Sequence, residues 1–147
     1  MSSLKLKSLI CTNMGTNSTN STNSTNKIIY PELSYILMGV LFEVHNKLGT
    51  KYQEKHYQKA VEIKLKELKI PYQREARLVI KFGEEDLGEF FVDFIIDGKI
   101  LLELKKVWKI TSDDIKQALR YLKAAELKLG IIVNFRHKRL EYRRVLN

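Results

Sequence analysis

From residue 28 onward, apolar positions recur in patterns that predict a succession of elements. Across residues 34–47, Ile36, Leu37, Val40, Leu41 and Val44 fall at helical spacing, and Gly49 is placed to end that helix. A second helix is predicted over 54–69, with Tyr57, Ala60 or Val61, Leu65 and Leu68 inward and lysines and glutamates elsewhere. Glu54 lies three residues before Tyr57, at the head of that inward stripe. Pro71 follows as a stop. Residues 78–82 read as a strand, 83–86 as a turn, and 87–96 and 99–107 as two further strands around Asp97-Gly98.

Thr111 and Asp114 have capping-box spacing at the head of a third helix with Ile115, Leu119 and Leu122 inward, and Gly130 is expected to close it. Residues 131–135 form a short apolar strand suited to a sheet interior, and the arginine-rich stretch 136–144 leaves room for a final edge strand. The order ααβββαβ predicts an α/β fold. Its mixed central sheet has a right-handed crossover through the third helix and helices on both faces.

Ahead of these elements, residues 16–26 repeat Asn, Ser and Thr without one apolar side chain. Such a stretch adds nothing to a core, so 1–27 is expected to be disordered and 28–147 to form the folded domain. Asn17, Asn20 and Asn23 begin glycosylation-like triplets that are compositional in the absence of a secretion signal. With 147 residues, 44% of them hydrophobic, the chain has material for one core. The single cysteine, Cys11, makes no internal disulfide and argues against a zinc cluster. No stretch is long enough to span a bilayer, and a cytoplasmic setting is expected. The net charge of +9 favours a polyanionic partner, although a merely soluble lysine-rich surface accounts for charge alone equally well.

Against this background, residues 90–107 stand out: Asp93, Glu103 and Lys105 interrupt two otherwise apolar strands. Charges inside such runs are costly unless paired, hydrogen-bonded or metal-bound. Glu103 and Lys105 share a face. Asp93 joins them only if the connecting loop is odd or bulged. A two-residue Asp97-Gly98 turn pairs Asp93 with Leu102, whereas a three-residue Ile96-Asp97-Gly98 loop pairs it with Leu101 and makes Asp93 and Glu103 diagonal neighbours. Two acids on one face offer hard oxygen ligands of the kind magnesium prefers, and Lys105 is placed to orient or deprotonate an attacking water. An ordinary ion pair at a sheet edge is the plainer reading of any one of these residues. Glu54 adds a carboxylate from the second helix, or is simply a helix N-terminal acid. Gln117 and Tyr121, at i and i+4 on the third helix, either support the site or are an exposed polar pair. His45 reads as a packed or capping histidine.

The segments Glu43-Val44-His45-Asn46-Lys47-Leu48-Gly49, Glu54-Lys55-His56-Tyr57, Val92-Asp93 with Glu103-Leu104-Lys105, Gly130 to Phe135 and Arg143 to Asn147 together resemble the GxxExxY family, a group with the PD-(D/E)xK nuclease-like fold. The similarity covers roughly residues 34–147. One departure is Lys51, which stands where the signature has its glycine, three residues before Glu54. Gln117-x-x-x-Tyr121 is similar to a motif of one branch of the same fold. The resemblance implies a restriction-endonuclease-like core that hydrolyses phosphodiester bonds in nucleic acid, DNA foremost. Glu54, Asp93 and Glu103 would hold Mg2+ or Mn2+, with Lys105 at the water and Gln117 and Tyr121 in support. Arg136, Arg139, Arg143 and Arg144 are candidate phosphate contacts. A homodimer or protein partner is compatible with it. Two other readings stand beside the enzyme: a catalytically silent binding module on this fold, and an orphan domain whose basic surface serves only solubility.

Overall fold

Eight elements follow one another over residues 28–147, those that the structure, a computed structural model, describes; the disorder expected for 1–27 concerns residues outside that range. Helices α1 (Pro31–Leu48) and α2 (Glu54–Glu67) come first. Strands β1 (Tyr72–Phe82), β2 (Glu85–Ile96) and β3 (Ile100–Lys105) follow, then α3 (Ser112–Ala125), β4 (Leu129–Asn134) and β5 (Glu141–Leu146). The sheet order is β1-β2-β3-β4-β5, with β3 and β4 parallel and every other pair antiparallel. A parallel pair needs a crossover, and α3 provides it. The mixed sheet expected from the sequence is therefore present, with β5 as the second edge.

Alternation along the central strands divides the core between two faces. Phe94, Ile96, Ile100, Leu102, Leu104, Leu129, Ile131 and Val133 pack against Leu37, Leu41, Tyr57, Val61 and Leu65 of α1 and α2. On the other face, Leu101, Ile132 and Val145 meet Ala118, Tyr121 and Leu122 of α3. The two faces thus dispose of the near-continuous apolar runs of β3 and β4, which are buried on both sides. Among the described residues, no helix is long and apolar enough to cross a membrane.

Several boundaries differ from the sequence-based expectation: α1 starts at Pro31 rather than 34, β2 starts at Glu85 inside the expected 83–86 turn, and β3 spans Ile100–Lys105 rather than 99–107. β1 begins at Tyr72 rather than at 78, because Tyr72 to Arg74 pair with Ile96 to Phe94. α3 ends at a left-handed Glu126 (φ 56°) and not at Gly130. Gly130 instead lies inside β4, where a Cβ would stand 3.4 Å from the Leu122 side chain, an ordinary packing distance.

The α1–α2 connection is fixed by side chains from both ends. The Tyr57 hydroxyl donates to the Gly49 carbonyl at 2.6 Å, and its ring stacks on Phe135 at 4.5 Å between centroids. His45 is buried, with its Nε2 at 2.8 Å from the His137 carbonyl, the packed role expected of it. Gly49 has φ 67° and ψ −144°, a conformation that side-chain-bearing residues avoid. Lys51 is not among the residues with positive φ, so the backbone at the position where the signature has glycine makes no demand for one. Because nothing lies within 4 Å of a Cβ built at Gly49, the penalty for Gly49→Ala is purely conformational. Denaturant unfolding is expected to show about 1–3 kcal/mol of destabilisation, against no measurable change for Lys51→Gly beyond the roughly 1 kcal/mol entropic effect of adding a glycine.

Candidate active site

The β1–β2 ribbon is longer than β3 and leaves it partway along. Phe94 and Ile96 face the α1–α2 core, yet Val92, two residues before Phe94, packs with Ala76 and Leu78 on the α3 side. The paired strand changes sides at the same level: Arg74 lies over the Phe94 ring at 5.4 Å, whereas Ala76 belongs to the α3 core. Glu75 between them is left-handed (φ 50°), and such a residue reverses the alternation of faces. Asp93 occupies the corresponding switch on β2.

Recognised pairing of β2 with β3 ends at Phe94↔Leu102. Beyond it, the carboxylates take over the backbone donors: the Asp93 N–H donates to Glu103 Oε1 at 2.9 Å, and the Leu104 N–H donates to Asp93 Oδ2 at 2.7 Å. Each acid therefore satisfies a donor on the other's strand, and both are held at the parting of the sheet. The turn that sets this register is odd, as the site required. Its three residues are Asp97-Gly98-Lys99 rather than Ile96-Asp97-Gly98, with Asp97 (φ 51°) and Gly98 (φ 62°) left-handed and the Lys99 N–H closing on the Ile96 carbonyl at 2.9 Å. Ile96↔Ile100 opens the ladder, so continuing the register brings Glu103, not Leu101, opposite Asp93. The two acids are direct rather than diagonal neighbours.

Lys105 is half-buried, and its Nζ lies 3.3 Å from Asp114 Oδ1 at the start of α3. Asp114 thus has two tasks, because its Oδ2 also accepts from the Thr111 N–H at 2.8 Å in the capping box. Burial opposes its ionisation, but the Thr111 donors and the Lys105 charge outweigh that and hold it below the usual carboxylate range. From the other side, α2 contributes Glu54 and Gln58. Gln58 Nε2 donates to Asp93 Oδ1 at 3.2 Å and lies 3.4 Å from Glu54 Oε1, while its Oε1 accepts from Arg74 Nη2 at 3.2 Å. Arg74 is in turn 3.4 Å from Glu62. Gln58, Arg74 and Asp114 escape a reading of the sequence. The available signal was Gln58 one turn after Glu54, and a capping acid is not ordinarily expected to hold a lysine as well.

Crowded carboxylates make this an electrostatically uncomfortable place. Glu103 is pushed up to about 8, first by burial and then by the Asp93 charge. Asp93 is raised by burial against the opposing Leu104 N–H and the charges of Lys105 and Arg74. Glu54 is raised by the enclosure of its carboxylate and by Asp93, even though the residue as a whole is exposed at the rim. On Tyr121, burial and the Glu103 charge push the phenol up; its ring packs on Phe90 at 5.3 Å.

Not every expected partner converges. Gln117 is half-buried and makes no hydrogen bond to the acids or to Lys105 among the described residues. Arg143 and Arg144 are opposite Ile132 and Ile131 of β4 and so point to opposite faces. Arg144 bonds the Ser34 hydroxyl on α1, and Arg143 lies 3.7 Å from Glu141, so the four arginines do not form one patch. Among the described residues, no three or more His, Cys, Asp or Glu side chains are arranged to hold a metal ion, so Glu54, Asp93 and Glu103 are not a preassembled ligand triad. The physical reason lies in their present partners: two of the Asp93 and Glu103 oxygens are occupied by backbone N–H groups, and Glu54 is held near Gln58. The donor chemistry nonetheless suits a divalent cation. Both acids are hard oxygen donors, and burial, joined at Glu103 by the Asp93 charge, raises their pKa values, an unfavourable enclosure of negative charge that a cation would relieve.

A family model described as the PD-(D/E)XK nuclease superfamily matches residues 31–145. No curated protein and no solved structure matches the chain. The match runs from the first residue of α1 into the closing strand and includes the acid pair and the lysine two residues beyond it; the chain belongs to the PD-(D/E)XK nuclease superfamily.

Proposed function

We propose that this protein is a divalent-cation-dependent nuclease of the GxxExxY group that hydrolyses phosphodiester bonds in nucleic acid, DNA foremost. The supporting observation is the reciprocal seating of Asp93 and Glu103 on each other's strand, with Lys105 two residues away and tied to Asp114. In this reading, Asp93 and Glu103 hold Mg2+ or Mn2+, with Glu54 as a further acid that Gln58 keeps nearby. The cation would stabilise charge developing on the phosphate. Lys105 supplies a fixed ammonium beside the acids, able to orient a water against the scissile phosphate, and Asp114 keeps its Nζ in one place. Tyr121 closes the floor under Glu103. Gln117 reaches the site only if substrate draws it in.

A catalytically silent module is the second reading. It is favoured by the Lys105–Asp114 pair, which satisfies the lysine without chemistry. Incubation of plasmid and single-stranded DNA with millimolar Mg2+ or Mn2+, against chelator, separates the two. Cation-dependent cleavage is expected. Salt-sensitive binding without cleavage in either cation would establish the module instead.

A further inference from the structure

Three residues beyond Lys105, the chain's single tryptophan stands with 72% of its surface exposed. An exposed indole on a floppy loop would be unremarkable, but this loop is pinned. Asn134, fully buried, accepts from the Val107 N–H at 3.0 Å and donates to the Val107 carbonyl at 2.8 Å. Its Nδ2 also donates to Glu141 Oε2 at 2.8 Å, and Glu141 Oε1 accepts from the Ile110 N–H at 3.2 Å. The Trp108 carbonyl itself is hydrogen-bonded by the His137 ring. Both flanks of Trp108 are therefore fixed to the end of β4 and the start of β5, and the ring is presented to solvent from a backbone with little conformational freedom left to lose.

Its surroundings select the kind of partner. The Arg136 guanidinium lies over one face of the indole, 5.6 Å from its centroid, and the His137 ring meets it edge-on at 5.4 Å. Within 106–109 and 136–139 there are five cations (Lys106, Lys109, Arg136, Lys138, Arg139) and no acid. The tip of the β1–β2 ribbon is the opposite. Its Arg77 is paired with Glu89 and its Lys81 with Asp86, and Glu84 and Glu85 add further negative charge. A polyanion entering the site is drawn to the Trp108 side and repelled from the ribbon.

An indole that is 72% exposed, on a pinned backbone and with a guanidinium over one face, leaves the rest of its π-surface as a stacking platform for an unpaired base, and a base already stacked and paired inside a duplex cannot use it. We infer that the substrate is engaged through a single-stranded segment, with one base stacked on Trp108 and its flanking phosphates met by Arg136 and its neighbours. This rests on the nuclease reading of the site and names the form of nucleic acid it accepts.

Because Trp108 is the sole tryptophan, its emission reports stacking directly. In chelator, to prevent cleavage, the protein is titrated with a single-stranded oligonucleotide of roughly 12 nucleotides and with a blunt duplex of the same composition. The single strand is expected to quench the emission and the duplex to leave it unmoved. Trp108→Ala should weaken single-strand binding by about 5- to 150-fold, the effect of losing one stacked base, and Trp108→Phe should recover part of it. Unaltered single-strand affinity in Trp108→Ala overturns the inference, as does emission that ignores a bound single strand. Cation-dependent cleavage persisting alongside either result leaves the nuclease standing and removes only the stacking platform, whereas a wild-type protein that neither binds the single strand nor cleaves it removes both.

Discussion

Lys105→Met is expected to lower cation-dependent cleavage by roughly 10²–10⁴-fold, the range for removing a positioned proton-transfer or charge-stabilising group. The fold should survive. The Lys105–Asp114 pair is only about one-fifth exposed at each side chain, so its loss costs more than that of a surface pair, up to a few kcal/mol, which the melting curves below measure. Asp114 also keeps its Thr111 partners, so α3 stays capped. Methionine retains the aliphatic length of the lysine and leaves no cavity. Asp93→Asn should show a loss at least as large for a different reason. An amide oxygen can still accept from the Leu104 N–H, but the charge that would hold a cation is gone. The two variants separate on cation titration: raising Mn2+ should partly rescue Asp93→Asn and leave Lys105→Met unchanged. Single-turnover cleavage assays with matched melting curves supply both readouts, and Lys105→Met retaining wild-type rates would remove the lysine from the chemistry.

The elements that position these groups were legible wherever one periodicity governed a whole segment. The stripe Tyr57, Val61, Leu65 on α2 and the two-sided burial of β3 and β4 follow directly from sequence spacing. The need for an odd turn between Asp93 and Glu103 was also legible, because placing two acids on one face is a question of parity. Its location was not. Both Asp97 and Gly98 adopt positive φ and Lys99 is left over as the extra residue, and nothing in Ile96-Asp97-Gly98-Lys99 marks which end carries the insertion. The face switch at Glu75 is hidden for a related reason, since a glutamate is a poor sequence signal for a left-handed residue. Tyr72-Gln73-Arg74 reads as polar linker and becomes strand only because the end of β2 is available to pair with it. The arginines near the C-terminus were grouped by proximity in sequence, and strand alternation then separated Arg143 from Arg144.

In chelator, the protein is expected to become less stable as pH rises from about 5 to 8. Glu103 ionises near its ordinary 4.5 when unfolded and only at about 8 in the folded state. Between those values the folded chain binds the extra proton, so raising the pH favours unfolding, and the effect is complete once Glu103 is ionised in both states. Asp93 and Glu54 are also raised and act in the same direction. The acids held below their ordinary range, Asp114, Glu43 and Glu62, have the opposite sign, but they act below about pH 4.5 and leave this window alone. A shift of this size in a half-buried group corresponds to a few kcal/mol, or roughly 10 °C in Tm for a domain near this length. Mg2+ should oppose the decline, raising Tm more at pH 8 than at pH 5.5, because it binds the ionised acids and must displace protons from the neutral ones. Glu103→Gln removes the titrating group. It should be more stable than wild type at pH 8 in chelator, decline less than wild type between pH 5.5 and 8 because only Asp93 and Glu54 still act in that direction, and respond poorly to Mg2+. Melting curves of both proteins at the two pH values, with and without the cation, test all of this together. A wild-type Tm that climbs from pH 5.5 to 8 in chelator, in parallel with Glu103→Gln, would show that the acids at the parting of β2 and β3 do not carry the strain inferred here.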